Sequence, residues 1–480
     1  MSILVVDVGT SGVRAAIVRP DATVTDVHYR EVLPSSPEPG FVEFDAAAMA
    51  RAALEAARAG LASGGPVDAV GIANQRASTI VWDRSTGEAV GPGIGWQDLR
   101  TIGQCLVLRE QGFHLAPNVS ATKAQYLLDL ADPDRTRDLC VGTVDSWIAW
   151  HLSGGTAHVT DPTNAALTGL RTSDGRTWSA ELLDALRIPE ASLPEVIESS
   201  GQGPAAGALD GAPPICGIAG DQQASLVGQG CVRPGLAKIT FGTGGMLDLC
   251  LGAERPAFLT RGEGGTFPIV AWSRGGRTTW GVEAVMLSAG TNVEWLRDDL
   301  GLIPDAASTH DIASQCTDTE GVVFVPALMG LGTPQWDYGA RGTLLGVTRG
   351  TDRARMVRAV LEGVAQRGTD LVEAAETDGA ISIPSLRIDG GMSANPTFVQ
   401  ALADASGRPV EISPVLEATT LGAGLLAGMA VGTWAGEDDV AATWSPAQVV
   451  EPARQLDRDR WADACRRAGA WFPELSALDF

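Results

Sequence analysis

The sequence has very little lysine. Of its 35 basic residues only Lys123 and Lys238 are lysines, so the other 33 are arginines. Neither lysine follows a glycine, which excludes the Gly-x-x-x-x-Gly-Lys loop by which many proteins bind nucleotide phosphates. The 58 acidic residues give a formal net charge of −23, and so acidic a surface repels nucleic acid and anionic membranes. We therefore expect neither of these partners, and any phosphate site has to work without the usual lysine.

Cysteine and histidine are also scarce and form no metal-binding pattern. The seven cysteines are scattered without a Cys-x-x-Cys pair, and the five histidines include no His-Glu-x-x-His. This usage predicts free thiols in a reducing compartment and no structural zinc. The amino terminus lacks the basic region of a signal peptide. We expect a cytoplasmic protein.

One segment, 418–436, carries no charged residue and has glycine at every fourth position from 424. A small-residue membrane helix would show this pattern, and so would a buried helix whose glycines allow close packing. The many glycines and threonines lower its hydropathy, and there is no second candidate span. The buried helix is the favoured interpretation.

Short β-branched segments alternate with longer segments in which apolar residues recur every three or four positions. This alternation predicts an α/β fold. We expect strands at 3–6, 13–18, 69–72, 80–82, 215–218, 238–240, 246–250, 322–326 and 386–388. We expect helices at 46–62, 121–130, 288–300, 353–377 and 396–405.

A weak internal repeat joins two distant parts of this pattern. Residues 3–18 have the order strand, Gly-Thr turn, strand, and residues 238–251 repeat it. Backbone N–H groups in such turns, with the hydroxyls of Thr10, Ser11 and Thr243, bind phosphate oxygens without lysine. A single Gly-Thr turn is more often only a hairpin. Two of them favour two similar lobes that present these turns to one cleft.

Three further features bear on chemistry. Asp7 ends an apolar strand, where a carboxylate is costly unless it binds something such as a hydrated Mg²⁺ that accompanies phosphates. The glycine turn at 389–395 either cradles an adenosine or caps a helix. In the segment 220–223, Asp221 is a candidate general base with Gln222 beside it to hold a hydroxyl, although an aspartate here is more often a helix N-cap.

Further segments occur in a fixed order around these elements. They include Asn74-Gln-Arg76, Trp96-Gln-Asp-Leu-Arg-Thr101, Gly142-Thr-Val-Asp-Ser-Trp147, Phe324-Val-Pro-Ala327 and Leu416-Glu-Ala-Thr-Thr-Leu-Gly422. With them the sequence resembles the FGGY carbohydrate kinases from Ile3 to about Trp434, and within that family it is similar to the glycerol kinase branch.

The resemblance implies an α/β fold with two actin-like (ribonuclease H-like) lobes, each a mixed sheet flanked by helices. The expected lobes are 1–228, with the polyol or sugar site, and 229–480, with the adenosine site. ATP and Mg²⁺ would bind in the cleft between them, and a small polyol or sugar would be phosphorylated. Kinases of this family are often dimers, so a homodimer is expected.

The resemblance also assigns roles to residues. Asp221 matches the catalytic base and Gln222 the adjoining polyol contact, whereas Asp7 matches the magnesium-associated aspartate. The nucleotide contacts are matched by Thr10, Ser11, Arg14, Thr243, Gly290, Gly391 and Asn395.

The expected substrate pocket departs from the glycerol kinase pattern. Arg76 and Trp96 are present, but Ala77 stands where those enzymes have glutamate. Asn118 replaces their pocket tyrosine, and Met246 replaces a phenylalanine. Loss of a hydrogen bond between a carboxylate and a hydroxyl costs about 1.5–3 kcal/mol.

A wider and less charged pocket suits a longer polyol or a ketose better than glycerol. Two alternatives stay open. One is a true glycerol kinase, and the other is an actin- or chaperone-like ATP switch without a sugar substrate.

Overall fold

A computed structural model describes residues 1–173 and 175–478 and has the expected α/β architecture. Its strands are β1 (Ile3–Val8), β2 (Gly12–Val18), β3 (Val24–Glu31), β4 (Glu43–Phe44), β5 (Ala69–Asn74), β6 (Thr79–Asp83), β7 (Gly93–Ile94), β8 (Leu139–Thr143), β9 (Val159–Thr160), β10 (Glu195–Val196), β11 (Ile215–Gly220), β12 (Ala237–Phe241), β13 (Gly245–Gly252), β14 (Phe267–Arg274), β15 (Arg277–Met286), β16 (Val323–Val325), β17 (Thr343–Leu345), β18 (Leu386–Asp389), β19 (Val410–Ile412) and β20 (Gln448–Val450).

The helices confirm the expected ones and add several. They are α1 (Ala46–Gly64), α2 (Ile102–Glu110), α3 (Ser120–Ala131), α4 (Val144–Leu152), α5 (Pro162–Ala166), α6 (Ala180–Ala185), α7 (Asp221–Gly228), α8 (Thr291–Asp298), α9 (Ser308–Ala313), α10 (Arg353–Gly379), α11 (Pro396–Ser406), α12 (Ala418–Val431), α13 (Glu437–Ala442), α14 (Arg458–Ala468) and α15 (Pro473–Ser476). The helix expected from 288 begins later, at Thr291. All seven cysteines carry free thiols, as the sequence predicts.

The first large sheet has the strand order β11-β5-β1-β2-β3. Its strands β1 and β2 form the expected antiparallel hairpin, while β5 and β11 are parallel to β1. Side chains alternate across β1, so that Leu4 and Val6 share a core with α1, and Ile3 and Val5 share one with α12. Helices thus cover both faces of this sheet.

The second large sheet has the order β14-β15-β13-β12-β18-β19-β20. Here β12 and β13 form the second expected antiparallel hairpin, and β18 is parallel to β12. The same arrangement of a hairpin beside a parallel strand therefore occurs in both sheets, which explains the repeat in the sequence. Helices α10 and α11 pack on the core of this sheet.

The segment without charge forms α12, which is buried and pairs with α7 between the two sheets. Glycines permit this pairing, because a Cβ on Gly422 would lie 1.7 Å from the carbonyl oxygen of Ala224 in α7. Among the described residues, no helix is long and apolar enough to cross a membrane. The expectation of a buried helix is confirmed. Although α12 lies in the second half of the chain, it packs on the first sheet. The division into lobes 1–228 and 229–480 remains a prediction.

Candidate active site

Three parallel strands of the first sheet end at one edge, and the candidate site lies there. Because β1, β5 and β11 run parallel, their carboxyl ends meet where open α/β sheets usually bind ligands. The first Gly-Thr turn follows β1, Arg76 lies just beyond β5, and Asp221 follows β11. The fold thus brings together residues that are far apart in the sequence.

Asp7, in β1, is a buried carboxylate beside this edge. Its Oδ2 accepts a hydrogen bond of 2.8 Å from Thr420 Oγ1, and Arg14 Nη1 lies 3.6 Å away. Burial raises the pKa of Asp7 to about 6, although Thr420 and Arg14 oppose the rise. A bound cation would stabilise this carboxylate. Its oxygens fit Mg²⁺, which binds through one or two carboxylates and keeps water and phosphate as its other ligands.

Arg14 links this edge to α12. It lies opposite Asp7 in the hairpin, and its Nη1 is 2.5 Å from Glu417 Oε2. Glu417 directly precedes α12, and Thr420 lies in the first turn of that helix. The amino-terminal end of α12 therefore lies beside the first Gly-Thr turn, where the helix dipole favours an anion such as phosphate.

Asp221 is the first residue of α7, and 33 % of its side chain is exposed. The N-cap of α7 is Gly220, so the alternative that Asp221 caps the helix is wrong. Arg76 Nε lies 3.3 Å from Asp221 Oδ1, and Arg76 Nη1 lies 2.7 Å from Glu283 Oε2. Burial raises the pKa of Asp221, and the charge of Arg76 opposes this rise.

Gln222 is held in a similar way. Its Oε1 accepts a hydrogen bond of 2.6 Å from Lys238 Nζ. Lys238 Nζ in turn lies 2.8 Å from Asp248 Oδ2, and both of these side chains are 0 % exposed. Asp248 and Glu283 are directly opposite on β13 and β15. Burial raises the pKa of Glu283 to about 7, with Arg76 opposing the rise and Asp248 adding to it.

Three residues of the expected substrate pocket lie in loops around this centre. Ala77 is buried with a left-handed backbone (φ 59°), and its carbonyl oxygen accepts a hydrogen bond of 3.1 Å from Ser120 Oγ. Trp96 Nε1 donates a hydrogen bond of 3.3 Å to Thr10 Oγ1, which connects the pocket to the first Gly-Thr turn. Asn118 is exposed.

Lys123 supports this wall from behind. It is wholly buried, and its Nζ donates hydrogen bonds to the carbonyl oxygens of Trp96, at 3.3 Å, and of Asn118, at 2.9 Å. Burial lowers the pKa of Lys123 to about 7. Both lysines of the chain therefore lie beneath expected pocket residues.

The expected nucleotide residues from the second half of the chain gather around the second hairpin. The Gly290 N–H donates a hydrogen bond of 2.9 Å to the carbonyl oxygen of Gly242, next to Thr243. The turn after β18 lies against the end of β12, because a Cβ on Gly390 would be 2.3 Å from the Phe241 carbonyl oxygen. Gly391 in this turn has open space above it.

Two expected residues on this side have structural contacts of their own. Asn395 Oδ1 accepts hydrogen bonds from the Thr397 and Phe398 N–H groups, so this turn does cap a helix, α11. Met246 is half-buried in β13 and pairs with Val285. Within residues 1–173 and 175–478, no hydrogen bond or ion pair joins the expected nucleotide-binding residues directly to Asp221.

Several residues of the site were not predicted from the sequence. Glu283 and Asp248 each interrupt an apolar strand, which is the same signal that singled out Asp7. Glu417 and Thr420 gave no comparable signal. They matter only because α12 begins beside Asp7.

Comparison with known proteins agrees with this architecture. A family model of the FGGY family of carbohydrate kinases, N-terminal domain, matches residues 2–228. The C-terminal domain model of the same family matches residues 237–431.

Relatives and solved structures cover nearly the whole chain. The glycerol kinase of Aromatoleum aromaticum is 42% identical over 98% of this chain and 99% of its own length. Glycerol kinase 2 of Thermotoga maritima is 38% identical over 98% of this chain and 99% of its own length. The structure of Plasmodium falciparum glycerol kinase with ADP has a TM-score of 0.90 at 26% identity, covering 100% of this chain and 99% of that one. The structure of a xylulose kinase from Brucella ovis has a TM-score of 0.87 at 26% identity, and the match covers 100% of both chains. These two structures confirm the two-lobed fold.

Proposed function

Since the chain belongs to the FGGY family of carbohydrate kinases, we propose that it transfers the γ-phosphoryl group of ATP to a primary hydroxyl of a small polyol or ketose. Membership in the family makes the protein an ATP-dependent carbohydrate kinase. One observation carries the assignment of its catalytic centre. Asp221 is partly exposed and held by Arg76 at the strand edge that also carries Asp7 and the first Gly-Thr turn.

Asp221 is the proposed catalytic base. Phosphoryl transfer depends mainly on positioning and on charge stabilisation, so the base needs only to accept the hydroxyl proton as the new bond to phosphorus forms. The salt bridge from Arg76 Nε orients the carboxylate. Burial raises its pKa, which makes the carboxylate a better proton acceptor.

The two Gly-Thr turns are the proposed phosphate sites. Their N–H groups, with Thr10, Ser11 and Thr243, would bind phosphate oxygens, and Arg14 would contribute a positive charge. Asp7 would hold Mg²⁺, and the bound ion would neutralise part of the phosphate charge. Gly290, Gly391 and Asn395 are the proposed contacts to the nucleoside.

Arg76, Gln222 and Trp96 are the proposed contacts to the remaining hydroxyls and the carbon face of the acceptor. Ala77, Asn118 and Met246 leave the pocket wider than that expected of a glycerol kinase. This composition supports an acceptor longer than glycerol. A ketopentose or a pentitol would fill the additional volume.

Glycerol is the second candidate acceptor, and the relatives support it. Proteins named glycerol kinase are about 40% identical to this chain over almost its whole length. The two candidates differ in a measurable way, because a glycerol kinase should prefer glycerol over every longer acceptor.

A panel of acceptors tests the proposal. ADP release is measured with ATP and Mg²⁺ alone, and then with glycerol, tetritols, pentitols or ketopentoses. We expect release that depends on the acceptor and the highest kcat/KM for a four- or five-carbon acceptor. Release that does not depend on any acceptor would instead support an ATP switch, and a preference for glycerol would overturn the widened pocket.

The homodimeric state and the cytoplasmic location of the protein remain predictions. The first follows from the family resemblance and the second from the cysteine usage. Sedimentation of the purified protein at several concentrations tests the homodimer.

A further inference from the structure

Lys238 is wholly buried beneath the start of α7 and is surrounded by three oxygen atoms. These are Gln222 Oε1 at 2.6 Å, Asp248 Oδ2 at 2.8 Å and Thr240 Oγ1 at 3.1 Å. An ammonium group has three N–H donors, so the acceptors match the donors in number. A guanidinium group is planar and larger and does not suit this compact arrangement. That explains a lysine here in a chain whose other basic residues are almost all arginine.

The bond to Lys238 decides the orientation of the Gln222 carboxamide. Lysine only donates hydrogen bonds, so the amide atom that faces it has to be the oxygen. Nε2 then points away from Lys238, and no hydrogen bond from it to a described residue is present. Gln222 therefore offers N–H donors beside Asp221, and its own acceptor is occupied.

The two adjacent residues at the start of α7 are anchored in parallel. Asp221 is held by Arg76, which is paired with Glu283. Gln222 is held by Lys238, which is paired with Asp248. Glu283 and Asp248 are opposite each other on neighbouring strands. The second sheet thus fixes the direction of both groups that face the acceptor substrate.

We propose that Lys238 and Asp248 are positioning residues that hold the Gln222 carboxamide so that its N–H groups bind an oxygen atom of the acceptor. This inference rests on the proposed function. The Gln222 N–H groups would select an acceptor that has an oxygen atom with free lone pairs near the hydroxyl that is phosphorylated. A hydroxyl satisfies this requirement, and a ketose carbonyl, which only accepts hydrogen bonds, matches it best.

The first test changes Gln222 without disturbing its bond to the lysine. Gln222→Glu keeps an oxygen for Lys238 but replaces the N–H donors by a second acceptor oxygen. We expect the KM for the acceptor to rise about ten- to hundredfold, with the KM for ATP changed less than about twofold. The melting temperature should not fall, because the new carboxylate pairs with Lys238. An unchanged acceptor KM in this variant would contradict the donor role of Gln222.

The second test is a double-mutant cycle with Lys238→Met, Gln222→Ala and the combination. If the lysine acts through the amide, Lys238→Met raises the acceptor KM in the wild type but has no further effect in the Gln222→Ala background. The variant Lys238→Met/Asp248→Leu removes both charges together, which spares the fold an unpaired buried carboxylate. It should also show the raised acceptor KM. Lys238→Arg should fail to restore the wild-type value.

Arg367→Met is the matched control. Arg367 is another buried cation, 1 % exposed and 2.7 Å from Asp370, which also contacts Arg458 and Trp461 of α14. Its replacement should lower the melting temperature and leave the acceptor KM unchanged.

These measurements distinguish failure of the proposed function from failure of the positioning role of Lys238 and Asp248. Wild-type protein without acceptor-dependent ADP release would overturn the proposed function and this inference with it. Two results would overturn the inference alone while the wild type turns over normally. One is that the effects of Lys238→Met and Gln222→Ala on the acceptor KM are additive. The other is that the folded Lys238→Met/Asp248→Leu variant has an unchanged acceptor KM.

Discussion

At the scale of single residues, Asp7 and Asp221 show how position changes a carboxylate. Asp7 lies near the end of β1 and Asp221 follows β11 at the same edge, yet the Asp7 side chain is 9 % exposed whereas the Asp221 side chain is 33 % exposed. Asp7 accepts a hydroxyl hydrogen bond from Thr420, and Asp221 pairs with Arg76. The buried group is suited to binding a cation and the open one to exchanging a proton.

The proposed role of Asp221 as the catalytic base leads to the first prediction. Asp221→Asn keeps the size of the side chain but removes the proton acceptor. We expect turnover to fall about 10²- to 10⁴-fold, while the affinity for ADP, measured by calorimetry, stays within about threefold. Near-normal turnover would remove Asp221 from the mechanism.

The second prediction concerns the missing glutamate of the pocket. Ala77→Glu should lower the KM for glycerol about 10- to 150-fold, because a carboxylate hydrogen bond contributes about 1.5–3 kcal/mol. The left-handed backbone at this position (φ 59°) already holds a residue with a Cβ, so the substitution does not introduce the first side chain there. Ala77→Gln is the control for size without charge and should have a smaller effect. A glycerol KM that does not change would show that this carboxylate does not explain the altered pocket.

Asp145 gives a prediction for pH. It is wholly buried, accepts hydrogen bonds from the hydroxyls of Thr143 and Thr160, and lies near Asp161. Burial and then the charge of Asp161 raise its pKa to about 7. The folded protein therefore binds this proton more tightly than the unfolded chain does. The resulting stabilisation is complete below pH 4 and is lost as the pH rises to 7.

Asp145→Asn removes this titration. Over that range the free energy of unfolding of the wild type should decline more than that of the variant, by on the order of 4 kcal/mol. Urea unfolding at a series of pH values measures the difference. Parallel pH profiles for the two proteins would refute the assignment.

At the scale of elements, the pair α7 and α12 connects packing to chemistry. Its glycines allow the two backbones to approach closely, and α7 carries Asp221 at its first position. The amino-terminal end of α12 brings Glu417 and Thr420 to Arg14 and Asp7. A shift of one helix against the other would therefore move both the proposed base and the phosphate site.

Gly422→Ala tests this coupling. The new Cβ would lie 1.7 Å from the Ala224 carbonyl oxygen, and backbone atoms cannot rotate away. We expect a loss of about 1–3 kcal/mol or more in the free energy of unfolding, together with a lower kcat.

Gly103→Ala in α2 is the control, because a Cβ there meets nothing within 4 Å. It should stabilise the protein by about 0.5–1 kcal/mol, as alanine favours helix over glycine. A Gly422→Ala protein with normal stability and kcat would contradict the close packing.

At the scale of the whole molecule, the charge of −23 opposes compactness. Like charges repel across the surface, and salt screens this repulsion. The melting temperature at pH 7 should therefore rise as NaCl increases from about 0.01 M to about 1 M, where the Debye length falls from about 30 Å to about 3 Å.

The control is the same titration near the isoelectric point, about pH 4.6, where the net charge disappears and the rise should be smaller. Scanning calorimetry measures both series. A melting temperature at pH 7 that is constant or falls with salt would show that the surface ion pairs outweigh the net repulsion.

The sequence by itself determined the features that depend on neighbouring residues. The two Gly-Thr hairpins, the alternation of strands and helices and the buried helix after 418 follow from local periodicity and turn chemistry. Asp7 and Asp221 could be selected because each carboxylate adjoins an apolar strand, where charge is costly.

Only the tertiary structure decided which groups those residues meet. Thr420 bonds to Asp7 across 413 positions of the chain, and the pairings of Arg76 with Glu283 and of Lys238 with Gln222 likewise join distant segments. Such partners depend on where α12 and the second sheet return, and local sequence carries no signal of that path. The scarcity of lysine is visible in the sequence alone, but the fold shows that both lysines are buried against residues of the proposed substrate site. Lys238 Nζ lies against three oxygen atoms and Lys123 Nζ donates to two carbonyl oxygens, and a compact ammonium group suits both arrangements better than a planar guanidinium does.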